Sequence, residues 1–183
     1  RRTYREMIAY ETIQANEEVL ESITLEDLVP KIYQRIDGQI IEHDMRSEGC
    51  GNFAKPMDGF SRGFTNILSL DLFSSTFDYE SDHLLSNHPL VYASTDALVL
   101  TENAWDWWWF WGQDEVDDMT NIHTFDISVP GVTAYTGSGR IDGQILNQFS
   151  ISEYEGVLRI ATTVGQWNRW WMEDPEPMSS SVI

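Results

Sequence analysis

The chain has 183 residues, with 11 Lys+Arg against 30 Asp+Glu and a formal net charge of −19. A field this negative repels phosphate backbones and anionic membrane faces, which excludes nucleic acid as the default partner and suits solubility, cation binding or a high-salt setting. Apolar residues make up 42% and aromatics 13%, enough for a core; no apolar run reaches membrane-spanning length, and the single Cys50 excludes an intrachain disulfide framework or a multi-Cys metal site. The chain opens at Arg1 without Met or a leader-like stretch and stops at Ser181-Val182-Ile183, which reads like the start of a strand. The expectation is a piece of a longer protein.

Residues 1–36 read as helical. Tyr4, Ile8, Ile13, Val19, Leu20 and Ile23 recur at loose three-to-four spacing among Glu11, Glu17, Glu18 and Glu21. Thr24 followed by Asp27 resembles a capping box and predicts a second short helix with Leu25, Leu28, Ile32 and Tyr33, which Pro30 kinks or ends. Residues 37–63, with Gly38, Gly49, Gly51, Gly59 and Gly63, read as an irregular linker around Cys50. From residue 64 the period changes to two. Phe64, Leu68, Leu70 and Leu72 share one parity and predict a half-buried strand. Residues 73–89 read as a polar loop. Strands follow at 91–93, 97–101, 123–127, 132–140, 145–151 and 157–164, with aromatic runs at 105–111 and 167–171.

The second half repeats the first. Ile67 to Leu72 parallels Ile122 to Ile127 at an offset of 55, and Leu98-Val99-Leu100 parallels Leu158-Arg159-Ile160 at an offset of 60. At that same offset Trp107 matches Trp167, Phe110 matches Trp170 and Trp111 matches Trp171. Units of this length with three or four short strands suit propeller blades, because one blade cannot bury both its faces and stacked neighbours can. Two hairpins of a β-sandwich are the alternative, and the aromatic register favours blades. The fold class is therefore mainly β: a partial β-propeller of two to three antiparallel blades over 64–183, behind a helical insertion at 1–36 and a linker at 37–63.

The stretch Val91 to Leu100, the Trp cluster after it, His123 to Ile127, and above all Gly143 to Thr163 (Asn147-Gln148-Phe149-Ser150, an acidic turn with Gly156, then Leu158-Arg159-Ile160-Ala161-Thr162-Thr163) resemble one family. It is that of secreted bacterial and archaeal proteins with a C-terminal β-propeller distantly related to WD40 repeats. The resemblance covers about residues 60–171 and implies an exported or envelope-anchored protein, often a lipoprotein. It implies no catalytic residue set. The function expected is a non-catalytic extracellular binding or scaffold module, with an unknown extracellular protein or glycan as partner.

Two constellations carry the remaining chemistry. Trp105, Trp107, Trp109 and Trp111, joined by Trp167 and Trp171, offer flat faces on which sugar rings stack. Their recurrence in both repeats fits packing between blades more simply. Carbohydrate binding, or action on carbohydrate, is the alternative function. Asp114, Glu115, Asp117 and Asp118 form an acidic turn able to offer oxygens to Ca²⁺, which would suit a Ca²⁺-dependent adhesion module. The spacing does not match an EF-hand, and a solvated hairpin tip explains it more simply. Beyond Ca²⁺ no cofactor is expected. The four histidines are scattered, Ser150 and Ser152 lack a nucleophile-elbow context, and Gly137-Ser138-Gly139 is no phosphate loop. Gly143 and Gly156 are expected to adopt positive φ at tight turns. Asn147, Gln148 and Arg159 are expected in a hydrogen-bond network between blades, with Arg159 paired to Glu153 or Glu155.

Overall fold

The computed structural model describes residues 3–45, 51–55, 61, 63–86, 89–103, 118–165 and 177–183. They fall into two bodies, Arg1–Ser47 and Glu48–Ile183.

The first body opens with α1 (Tyr4–Ser22). A capping box starts it: Glu6 N–H donates to Thr3 Oγ1, and Thr3 N–H donates to Glu6 Oε2 at 2.6 Å. Its apolar side chains, Tyr4, Ile13 and Leu20 among them, stay exposed. The predicted second helix is one turn, α2 (Leu25–Leu28). The Asp27 carboxylate accepts both the backbone N–H and the hydroxyl of Thr24 at 2.8 Å, and the first of these bonds holds it below the usual carboxylate range.

Pro30 then ends the helical segment, and the chain departs from the expectation. Residues 31–36 are not helix but β1 (Lys31–Ile36). Antiparallel to it runs β2 (Gln39–Asp44), inside the stretch expected to be irregular. Asp37 (φ 49°) and Gly38 (φ 84°) make the two-residue turn. Two successive positive φ values suit the twist of a hairpin, and Asp-Gly accepts them at low cost. Lys31 Nζ meets Glu42 Oε1 at 2.5 Å across the pair.

The second body is built of three sheets, antiparallel except where Phe53–Ala54 joins Tyr79–Ser86. A three-stranded sheet has the order β3-β5-β4, from β3 (Phe53–Ala54), β4 (Gly63–Leu70) and β5 (Tyr79–Ser86). A four-stranded sheet runs β6 (Leu90–Ala93), β7 (Ala97–Asn103), β8 (Met119–Asp126), β9 (Ala134–Asp142) in order. A third runs β10 (Ile151–Tyr154), β11 (Val157–Val164), β12 (Ser179–Val182). Two further expectations are corrected here. The polar stretch 73–89 contains β5, and Ser81, Asp82, His83, Leu84 and Ser86 in it are buried. The segment 145–151 is no strand; a 3₁₀ turn at Gln148–Ser150, capped by the Asn147 side chain, leads into β10.

The repeat appears in the strand register. The pair Val91↔Leu100 becomes Ile151↔Ile160 when 60 is added to both numbers, and Thr101↔Ile122 becomes Ala161↔Val182. So β10, β11 and β12 repeat the first three strands of the four-stranded blade. Phe64↔Leu85 corresponds to Met119↔Asp142 at offsets of 55 and 57, β9 carrying the extra residues, so β4 and β5 are the third and fourth strands of the blade before. The Asp37-Gly38 hairpin matches that of Glu155 (φ 53°) and Gly156 (φ 74°) turn for turn: Ile36↔Gln39 shifted by 118 gives Tyr154↔Val157.

Burial follows the same repeat. Ile67 and Leu84 pack against Leu100 and Phe125 with Leu98 beside them, which joins the first blade to the second. On the second blade's other face Val99, Ile122 and Ile141 pack against Ile151, Leu158 and Ile160 of the third. Ile67 and Ile122 thus hold equivalent positions at the offset of 55, and Leu98 and Leu158 at 60. A sheet with apolar side chains on both faces needs a neighbour on each, and stacking provides it. The parity of Phe64, Leu68 and Leu70, expected to be the buried one, is the half-exposed face of β4, while Ile67 points into the core.

Candidate functional site

In these blades the second strand ends and the third begins at one end of the sheet, where the fourth strand also hands over to the next blade. The connections 104–118 and 165–178, which carry the two aromatic runs, therefore leave from the same rim as the turn 143–150. Asp118 braces that rim. Its main-chain oxygen accepts the Gly143 N–H, its Oδ1 accepts Gln144 Nε2 at 3.1 Å, and its Oδ2 accepts the Gly165 N–H at 2.8 Å. One carboxylate so ties the start of β8, the β9–β10 turn and the end of β11. Thr120 donates to the Gly143 carbonyl at 2.7 Å, and Gln144 and Thr163 exchange backbone bonds at 2.8 and 3.0 Å. Gly143 has φ 87°, and a Cβ there would stand 2.9 Å from Thr162 Cβ and 3.0 Å from the Thr163 backbone. Only glycine lets the turn pass so close to β11.

Of the expected site residues, Asp118 is the one the structure describes, and both its carboxylate oxygens take hydrogen bonds from within the fold. Trp105, Trp107, Trp109, Trp111, Trp167, Trp171, Asp114, Glu115 and Asp117 lie outside the described residues. Among the described residues no group of three or more His, Cys, Asp or Glu side chains is arranged to hold a metal, and no helix is long and apolar enough to cross a membrane. Arg159 is exposed; its guanidinium donates to the Val157 carbonyl at 3.4 Å, and Glu153 instead accepts the Gly156 N–H at 2.7 Å. The expected pairing of Arg159 with Glu153 or Glu155 is thereby corrected: Ser152 is the residue opposite Arg159 on β10, and the turn takes up the Glu153 carboxylate.

The polar bonds between blades lie elsewhere. Glu80 Oε2 accepts the Thr133 N–H at 3.1 Å and Asp82 Oδ2 accepts the Thr133 hydroxyl at 3.0 Å, joining β5 to the segment before β9. Asp82 is 8% exposed, and burial pushes its carboxyl above the ordinary range against the pull of the Thr133 bond. Glu153 N–H donates to Tyr92 Oη at 2.9 Å, joining the second blade to the third. Within the blades an asparagine pair recurs: His83 Nδ1 meets Asn66 Oδ1 at 2.7 Å, and Arg140 Nε donates to Asn121 Oδ1 at 3.0 Å. Asn66 and Asn121 stand 55 apart, the offset already visible in the apolar residues. That spacing was the signal for this pair; nothing in the sequence marked Thr133.

Register, core and connections together define a blade-repeat protein. A family model described as a beta propeller domain matches residues 4–182, and the chain belongs to that family. Over 30 residues it is 53% identical to an uncharacterized protein of Methanocaldococcus jannaschii, a match covering 16% of this chain and 5% of that protein. No solved structure matches the chain.

Proposed function

We propose that the chain is a non-catalytic binding or scaffold module, working in an exported or envelope-anchored protein, with its ligand held at the rim braced by Asp118. The carrying observation is that the strand ends from which the connections bearing the aromatic runs leave lie at this one end, on a base of buried, hydrogen-bonded side chains (Thr120, Gln144, Thr162). A rigid base under variable connections is how folds present binding surfaces. Both carboxylate oxygens of Asp118 are used in the brace. The exported setting rests on the sequence resemblance alone.

Thermal unfolding followed by Trp emission tests the reading, with Ca²⁺ and a glycan panel as additives. A ligand that binds only the folded state raises the midpoint by mass action. A midpoint unmoved by either, with a protein partner captured at this rim and lost on substitution of Asp118, supports the scaffold reading. A glycan-dependent shift with changed Trp emission replaces it with carbohydrate binding. A Ca²⁺-dependent shift replaces it with a metal-dependent adhesion module.

A further inference from the structure

The end of the sheets opposite the Asp118 rim is formed by the connections 71–78, 94–96, 127–133 and 155–156, all of them among the described residues. Two of these are equivalent. Asp71 Oδ1 accepts the Phe73 N–H at 2.9 Å, and at the offset of 55 Asp126 Oδ1 accepts the Ser128 N–H at 2.9 Å. The turn is the same in both blades, and the residue it holds is phenylalanine in one and serine in the other. Ser128 is exposed although its blade has a sheet packed on each face. The position therefore meets solvent even in a blade with both neighbours in place.

Phe73 stands at that position 96% exposed. The turn does not ask for a ring there, since Ser128 serves the same turn. Its support is fixed by hydrogen bonds. The Asp71 N–H donates to the Asp78 carbonyl at 3.3 Å, closing the loop, and the Ser74 and Thr76 hydroxyls donate to Asp78 Oδ2 at 2.8 and 2.7 Å. Gly131 (φ 80°) brings the next blade's connection against the base of this loop, where an added Cβ would stand 3.1 Å from Asp71 Cβ. That connection exposes Val129, and the third blade's hairpin exposes Tyr154 and Val157 at the same end. The apolar side chains lie among carboxylates, and the four connections contain no Lys or Arg. Bonds from Thr76 and Ser74 hold the Asp78 carboxyl below its ordinary range, and bonds from Ser128 do the same for Asp126, so both stay anionic.

We propose that this rim is a protein-docking surface with Phe73 as its anchor, inserted between the aliphatic side chains of a basic partner segment whose Lys or Arg residues pair with Asp71, Asp78 and Asp126. A ring held in place before binding loses little freedom when a partner covers it, and aromatic anchors carry a large share of interface affinity. Carboxylates around such an anchor turn away acidic surfaces and speed the approach of basic ones. The same charges disfavour an anionic membrane. The surface lies at the other end of the sheets from the Asp118 rim, and its failure would leave the assignment of that rim standing.

The probe is a fluorescein-labelled, amidated peptide of two Leu-Lys-Lys-Leu-Leu-Lys-Leu repeats, an amphipathic helix with one aliphatic and one basic face, titrated with the full chain at physiological salt and followed by anisotropy. Saturable binding is expected, weakened about tenfold by Phe73→Ser and abolished when Glu replaces Lys in the peptide. Phe73→Ser gives the turn the residue its equivalent already carries, so the melting midpoint of the variant should match that of the parent. Binding unchanged in Phe73→Ser overturns the proposal, because charge alone would then attract the peptide. A lowered midpoint in that variant overturns it as well, because the ring would then be packed within the protein. So does absence of binding. Phe73-dependent sedimentation with neutral phosphatidylcholine vesicles also overturns it, since the loop would then be a lipid anchor.

Discussion

The first and second blades share register and core positions, yet they differ in what covers them. Phe125 is 1% exposed because Ile67 and Leu84 of the blade before lie on it, while Leu70, its counterpart at an offset of 55, is 37% exposed. The outer strands differ the other way. β5 is buried although its sequence is Tyr79-Glu80-Ser81-Asp82-His83, and β9 is exposed with equally few apolar residues. A strand's burial here is decided by what lies against it rather than by its own pattern, and each buried polar group in β5 needs a partner to remain there. Ser81, Asp82 and His83 have theirs in Asn52, Thr133 and Asn66.

The largest test of this difference is a pair of truncations. Phe125→Ala is expected to cost about 3–5 kcal/mol and Leu70→Ala about 1 kcal/mol, read from denaturant unfolding. Equal costs would mean that the two faces do not differ in how they are covered. Next in size is the turn that closes β9. Gly143→Ala is expected to cost about 2–3 kcal/mol, from positive φ and the approach to Thr162 and Thr163, whereas Gly137→Ala in the open strand should gain about 0.5 kcal/mol. A Gly143→Ala protein as stable as the parent would mean that the turn does not press on β11. Phe53→Ala should cost about 1–2 kcal/mol and speed amide exchange in β5 while leaving β9 as it was.

The smallest effect is electrostatic. Burial raises the Asp82 carboxyl above its ordinary pKa, so the folded state binds the proton more tightly than the unfolded one. Its contribution is fully present below about pH 3.9 and is lost as pH rises through the raised folded value. Asp82→Asn, which still accepts from Thr133, should therefore leave stability nearly unchanged at acid pH. Towards neutrality it should gain about 1 kcal/mol or less. A variant that loses stability with rising pH relative to the parent would reverse the sign and show that Asp82 is stabilised as the anion.

Much of the blade repeat was legible in the sequence. Leu98-Val99-Leu100 and Leu158-Arg159-Ile160 lie on the central strands of their sheets, where burial imposes apolar residues, and the positive φ of Gly143 and Gly156 follows from turn chemistry. The rest was harder to read. In the first body Leu25, Leu28, Ile32 and Tyr33 fit a helical spacing, and Gly38 reads as linker until the positive φ of Asp37 and Gly38 shows the hairpin turn. β5 reads as a loop in sequence because its buried residues are polar and their partners, Asn52 and Thr133, are remote in the chain. In β4 the more apolar parity belongs to the less covered face, so alternation alone chose the wrong side. As for the candidate site, the sequence named Asp118 as a metal ligand, and its part as a brace between two blades depends on Gln144 and Gly165, which no local motif announces.

The most direct measurement is residue-resolved hydrogen exchange across β5 and β9. The N–H of His83 is bonded to Asn52 on the outer edge, and Ser138 holds a position of the same parity on β9. The account predicts slow exchange at His83 and fast exchange at the exposed Ser138. A Ser138 amide as slow as that of His83 in the unliganded chain would contradict it, since the edge of β9 would then already be covered.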